Sequence, residues 1–296
     1  MAKLAKSYVA HVRTPKKTLI ASGCSWTNEN FWSDSNPDID CSWPKWPELL
    51  AKKLDMECIN LGRSGAGNEY IFSSLLDQIK QTNKDNIGLV IPAWTQVHRK
   101  DIKVRGIWKH IDCIRRRRGF YKSAYQLTKK NENKQKRLKN LFFTAISNKM
   151  PPSSIAGNTD KSLTYYYSLQ EICKSKKIPL KQFQMLPFYR SSKKLPKGLL
   201  ICTREVNILY NNPYFKKIDN NFIGWPTERR LGGFNFCDDI LDIYANERTY
   251  CISDLDNHPN AKGHEKIAEF LYDRFSTMNK SKERSYKPYN SQGRGA

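Results

Sequence analysis

Two short stretches hold residue types that could carry out acyl transfer. Gly23-Cys24-Ser25-Trp26-Thr27 follows directly on the apolar run 18–22. A sharp turn at Gly23 would leave the Ser25 hydroxyl at the rim of a strand, where open α/β sheets hold their ligands. Far along the chain stands Asp254-Leu255-Asp256-Asn257-His258-Pro259. A carboxylate two residues before a histidine can hold the imidazole in one tautomer, leaving the other nitrogen free as a base. Asp254 could orient the ring as well, and of the two carboxylates Asp256 is preferred. The chain has five histidines, and two of them, His258 and His264, fall within seven residues. Asn260 is suited to cap the helix that follows, with Pro259 stiffening its approach.

Such residues act together only if a scaffold brings them together. The apolar run 18–22 reads as a buried strand, and 57–61 and 87–91 as two more. Residues 46–54 place Trp46, Leu49, Leu50 and Leu54 on one helical face, and 69–81 do the same with Ile71, Leu75, Leu76 and Ile79. Strand, helix, strand, helix, strand in this order predicts a parallel sheet with crossover helices, a three-layer α/β/α fold. A helix over 162–176, a strand over 180–186, a helix over 236–246 and a final helix over 260–275 complete the pattern. Residues 28–43 read as a polar surface loop, and 187–235 as an irregular insertion.

At 296 residues the chain can bury roughly three quarters of its extended surface, enough for one such domain. The hydrophobic content of 39% excludes a wholly disordered chain. No apolar run reaches the roughly 20 residues of a membrane helix, and the opening residues do not lead into a secretory leader. A soluble, non-exported, cytoplasmic chain is therefore expected. The eight cysteines show no C-x-x-C pair, which argues against a zinc site and for reduced, buried thiols. The glycines of 62–67 do not match the dinucleotide spacing, so no cofactor is expected.

The net charge of +23 is unevenly placed. Residues 1–17, 100–140 and 277–296 carry +5, +12 and +4, which together make +21 of the total. The expected organisation is a basic arm over 1–17, an α/β domain over 18–276 with a basic helical insertion at 100–140, and a flexible basic tail over 277–296. Charge on extensions suits attachment to an acidic protein surface or a polyanion. Arg115, Arg116, Arg117 and Arg118, near Trp108, Phe120, Tyr121 and Tyr125, are the candidate contact residues.

The two reactive stretches resemble the first and last blocks of the SGNH (GDSL-like) hydrolase superfamily. That family has Gly-x-Ser after the first strand, here Gly23-Cys24-Ser25, and Asp-x-(x)-His-Pro before the last helix, here Asp256-Asn257-His258-Pro259. Its second block is similar to Asn60-Leu-Gly-Arg-Ser-Gly65-Ala-Gly-Asn68. The resemblance spans residues 18–99 and 162–275, and the Gly-Cys-Ser-Trp-Thr form is most like members found in phages. It implies a serine esterase with Ser25 as nucleophile, His258 as base and Asp256 as orienting acid, acting on acyl esters such as O-acetyl groups of a polysaccharide. Gly65 is implied as an oxyanion-hole residue. The third block departs from the pattern: where the family has Gly-x-Asn-Asp, this chain has Pro92-Ala-Trp94-Thr95-Gln96. The donor lost with that Asn would have to come from Thr95, Gln96 or Asn68. The first block's acid is likewise replaced by Cys24. An alternative implied by these departures is an SGNH-fold structural or binding protein of a phage particle, weakly active or inactive, that docks on virion partners through its basic extensions.

Overall fold

A computed structural model describes residues 15–112, 154–189, 203–243 and 247–284. Its centre is a parallel five-stranded sheet in the order β2-β1-β3-β6-β7. The strands are β1 (Thr18–Ser22), β2 (Glu57–Asn60), β3 (Ile87–Trp94), β6 (Gln182–Gln184) and β7 (Phe222–Ile223). β1 and β3 are buried along their whole length, which is why they read as continuous apolar runs.

Alternation along the central strands sorts the core into two faces. Leu19 and Ala21 of β1, with Leu89, Ile91 and Ala93 of β3, pack against helices α1 (Trp46–Lys53) and α5 (Ala261–Arg284) through Trp46, Leu50, Ile267 and Leu271. Ile20, Val90 and Trp94 point the other way. They meet Ile71 and Leu75 of α2 (Asn68–Gln81), and Leu163, Tyr166 and Leu169 of α3 (Ile155–Ser175). This is the expected three-layer α/β/α arrangement. No described helix is long and apolar enough to cross a membrane. The described cysteines are free thiols, and Cys113 and Cys202 lie outside the described residues.

Several boundaries differ from expectation. β3 runs three residues past Ile91, because Pro92 sits at the end of the pairing with β1 (opposite Ser22) and costs the sheet little. α3 starts at Ile155, not 162, with the Ser154 hydroxyl accepting the Gly157 N–H at 2.9 Å. β6 keeps only three residues of the expected 180–186. The expected helix over 236–246 is a single π-helical turn, Phe236–Ile240. The stretch 187–235 is not wholly irregular, since it contributes α4 (Thr203–Tyr210) and β7. α5 continues to Arg284, so the expected flexible tail begins as helix.

The largest correction falls on the basic insertion. Its first part is not helical: β4 (Arg99–Val104) and β5 (Ile107–Asp112) form an antiparallel hairpin. Arg105 and Gly106 link them, both left-handed with φ of 49° and 77°. A two-residue turn of that kind matches the twist of the strands it joins. Arg115, Arg116, Arg117 and Arg118 lie outside the described residues.

Candidate active site

The turn after β1 is built around a glycine that nothing else could replace. A Cβ on Gly23 would stand 2.1 Å from Thr27 Oγ1 and 3.1 Å from the Cβ of Ala93. The Cys24 carbonyl closes the turn, accepting the N–H groups of Thr27 (2.9 Å) and Asn28 (3.1 Å). Ser25 is thereby set at the carboxyl edge of the sheet, 9% exposed.

The second stretch reaches the same edge from the entrance to α5. Asn260 caps that helix as expected, its Oδ1 accepting the Gly263 N–H at 2.9 Å. His258 Nε2 lies 2.8 Å from Ser25 Oγ, and His258 Nδ1 lies 2.5 Å from Asp256 Oδ1. Asp256 Oδ1 also accepts the His258 backbone N–H at 3.0 Å. With Nδ1 facing a carboxylate, Nδ1 carries the proton and Nε2 is left to accept from the serine hydroxyl. Asp254 points away: its carboxylate is 89% exposed and 3.9 Å from Arg248. Asp256, not Asp254, therefore faces the ring.

Two residues from the loop expected to be mere surface complete the arrangement. The Ser33 hydroxyl donates to Asp256 Oδ2 at 2.5 Å, and Phe31 stacks on the His258 ring at 4.3 Å between centroids. Burial opposes ionisation of Asp256, yet the hydrogen bonds from His258 and Ser33 outweigh it and hold the carboxyl well below the usual range. His264, by contrast, is buried in the core. Its Nδ1 accepts the Trp46 N–H at 3.2 Å, and burial, aided by the charges of Lys45 and His258, pushes it down to about 3.

The glycine loop after β2 lies beside this turn. The Arg63 N–H donates to the Gly23 carbonyl at 3.0 Å, and Asn28 donates to the Ser64 hydroxyl at 3.0 Å. Gly65 is left-handed, with φ of 80°, and exposed. Asn68 lies deeper. Its amide nitrogen donates to the Thr95 carbonyl, Ser162 and Tyr166, and its oxygen accepts the Thr95 N–H at 2.9 Å. Thr95 is fully buried, its hydroxyl without a partner among the described residues. Gln96, one residue further, is half-buried at the end of β3.

A hydroxyl, an imidazole and a carboxylate thus stand in line at the carboxyl edge of a parallel sheet, brought together from two distant stretches of the chain. The fold around them is a three-layer α/β/α one with a parallel central sheet. No family model and no curated protein matches the chain. Among solved structures, it is similar to the psychrotrophic esterase EstA from Pseudoalteromonas sp., at 13% identity and a TM-score of 0.40, covering 89% of this chain and 99% of that one. It is also similar to the acetyl xylan esterase AlAXEase, at 11% identity and a TM-score of 0.39, covering 87% of this chain and 98% of that one. A third is a carbohydrate esterase family 2 enzyme from Corynascus thermopiles, at 14% identity and a TM-score of 0.39, covering 91% of this chain and 68% of that one. What sequence reasoning missed is the supporting layer, Phe31 and Ser33. Neither carries a periodic or motif signal, because each acts on residues more than 220 positions away.

Proposed function

We propose that the chain is a serine ester hydrolase. The observation that carries this reading is the continuous hydrogen-bonded line from Ser25 Oγ through His258 to Asp256. In the proposed reaction Ser25 Oγ attacks the ester carbonyl while His258 Nε2 takes its proton. Asp256 stabilises the imidazolium that forms, and Ser33 holds Asp256 from behind. The backbone N–H groups of Ser25 and Gly65 receive the oxyanion. His258 then protonates the departing alcohol, and water attacks the acyl-enzyme with the same histidine as base. No metal or cofactor takes part in these steps.

The third oxyanion donor is where this chain differs from its family pattern. The amide of Asn68 is engaged in the interior and Thr95 is sealed from solvent, so Gln96 is the side chain left at the end of β3 to serve. A hole with one donor fewer is expected to be slower by roughly 10²–10³. Within the ester class we favour carbohydrate-borne acetyl groups. Trp32, 65% exposed between Phe31 and Ser33, offers a flat aromatic surface of the kind on which a sugar ring packs.

The test is hydrolysis of a short activated ester and of an acetylated polysaccharide, with labelling of Ser25 by a fluorophosphonate. Turnover together with labelling lost in Ser25→Ala supports the reading. Labelling absent from the folded wild type overturns it. That outcome would favour the alternative of a binding protein of a phage particle, docked on an acidic partner or polyanion, which draws on the +21 charge carried by three segments.

The support of Asp256 makes a smaller, separate expectation. Ser33→Ala removes one hydrogen bond to a charged acceptor, and kcat is expected to fall roughly tenfold with KM little changed. Steady-state kinetics on the activated ester check this. An unchanged kcat would remove Ser33 from the mechanism.

A further inference from the structure

The β4–β5 hairpin opens the segment whose charge suggests partner binding, yet it folds onto the loop beside the nucleophile. Asp101, 8% exposed, reaches from β4 to the start of α2. Its Oδ1 accepts the Gly67 N–H at 2.9 Å and its Oδ2 accepts the Tyr70 N–H at 2.8 Å. The first N–H groups of any helix lack partners within the helix. Most helices supply one from a Ser, Thr, Asp or Asn at the cap position, but α2 begins after Gly67, which has no side chain to do so. The hairpin supplies the missing carboxylate, and a negative charge is favoured at that end of a helix.

The hairpin holds this segment at further points. His110, opposite Asp101 across the hairpin, places Nδ1 2.7 Å from Asp101 Oδ1. Arg99 donates to the Ala66 carbonyl at 3.2 Å, and its backbone oxygen lies where a Cβ on Gly67 would be 3.1 Å away. A Cβ on Gly65 would meet the His110 Cβ at 3.3 Å. On its other side the same loop is tied to the nucleophile turn through Arg63 and Ser64. Residues 62–70 are thus gripped between the turn that carries Ser25 and a buried carboxylate from the insertion.

We propose that Asp101 is a positioning residue: by capping α2 from the hairpin it fixes the Gly65 backbone N–H toward the oxyanion formed at Ser25. This rests on the ester hydrolase reading above. A displacement near 1 Å at a catalytic group can cost about 100-fold in rate. Fixing one donor rather than removing it is therefore worth a loss of roughly 10- to 100-fold.

The experiment compares wild type, Asp101→Ala and Asp101→Asn on a short activated ester. Each is also tested for its affinity for a trifluoromethyl ketone, whose carbonyl becomes an oxyanion when Ser25 adds to it. In Asp101→Ala, kcat is expected to fall roughly 10- to 100-fold with KM within about twofold, and ketone affinity to fall by the same factor as kcat/KM. Asp101→Asn, which keeps one acceptor oxygen, should recover part of both. Hydrogen exchange should quicken over residues 62–70 and stay unchanged in β1 and β3. If Asp101→Ala does not fold, Asp101→Asn alone decides by the same readings. A folded variant with wild-type kcat and ketone affinity overturns the inference while leaving the esterase reading intact. Loss of stability with kcat and ketone affinity both at their wild-type values reduces Asp101 to a structural cap and likewise overturns the inference. A wild type without Ser25-dependent turnover overturns both.

Discussion

Ser25→Ala is expected to lower kcat on an activated ester by roughly 10⁴- to 10⁶-fold, because the residues of such a triad act as one unit. The physical reason lies in the 2.8 Å contact between Ser25 Oγ and His258 Nε2. Without the hydroxyl the base has no proton to take, and without the base the hydroxyl is a weak nucleophile. His258→Ala should therefore cost about as much, and the double variant Ser25→Ala/His258→Ala should be no worse than either alone. Rates of the three variants, measured beside their far-ultraviolet spectra, check this. Additive losses, or a Ser25→Ala rate equal to wild type, would mean the three groups do not form a working relay. Folding should be unaffected by Ser25→Ala, since the Ser25 side chain is held only by His258 in the described structure.

The second large effect concerns acid stability and lies away from the chemistry. His264 is 2% exposed, accepts the Trp46 N–H, and has its pKa pushed down to about 3. In the unfolded chain a histidine titrates near 6.5. As pH falls below about 6.5 the unfolded state binds a proton that the folded state refuses, so stability is present above that value and is lost on acidification toward 3. Each pH unit inside this window costs up to about 1.4 kcal/mol, so the change from pH 6.5 to 4.5 is about 2 kcal/mol. Glu228 works in the opposite direction. Burial, with Asp238 and Glu205 nearby, raises it to about 7, so its cost grows as pH rises from about 4.5. Asp256, held low, loses its contribution only below about 4, outside the window.

His264→Asn isolates the histidine, keeping an acceptor for the Trp46 N–H while removing the titration. Urea unfolding of both proteins at pH 6.5 and 4.5 measures the difference. The wild type should lose about 2 kcal/mol more than the variant over that interval. Parallel losses would show that His264 does not control acid stability.

The reactive residues were legible because their signals are local. Gly23 precedes Ser25 by two positions and follows a wholly apolar strand, so nucleophile, turn and strand sit inside ten residues. Asp256, His258 and Asn260 are equally compact, and capping of the last helix follows from chain order alone. The continuous apolar runs of β1 and β3 and the helical periodicity in α1 and α2 were also readable, because burial on both faces of a parallel sheet constrains every residue of a strand. Those patterns were enough to specify the layers and the edge at which the site had to lie.

The rest depends on contacts that chain order does not encode. By spacing either Asp254 or Asp256 could orient the ring, with Asp256 preferred. The choice falls to Asp256 because Ser33, 223 residues away, donates to it, while Arg248 stands beside Asp254 at the surface. Asn68 looked available as an oxyanion donor until Thr95, Ser162 and Tyr166 took up its amide. The hairpin was hidden by its own charge: five lysines and arginines fall within 99–112, and the Arg105-Gly106 turn is short beside that signal. What identifies Asp101 as a cap is the absence of a side chain at Gly67, 34 positions earlier, so neither residue alone carries the information. A hydrogen bond across such a distance is set by how the layers pack. The sequence by itself determined the proposed nucleophile and base and the layers that carry them, and only the tertiary structure decided which polar groups remain free to act on a substrate.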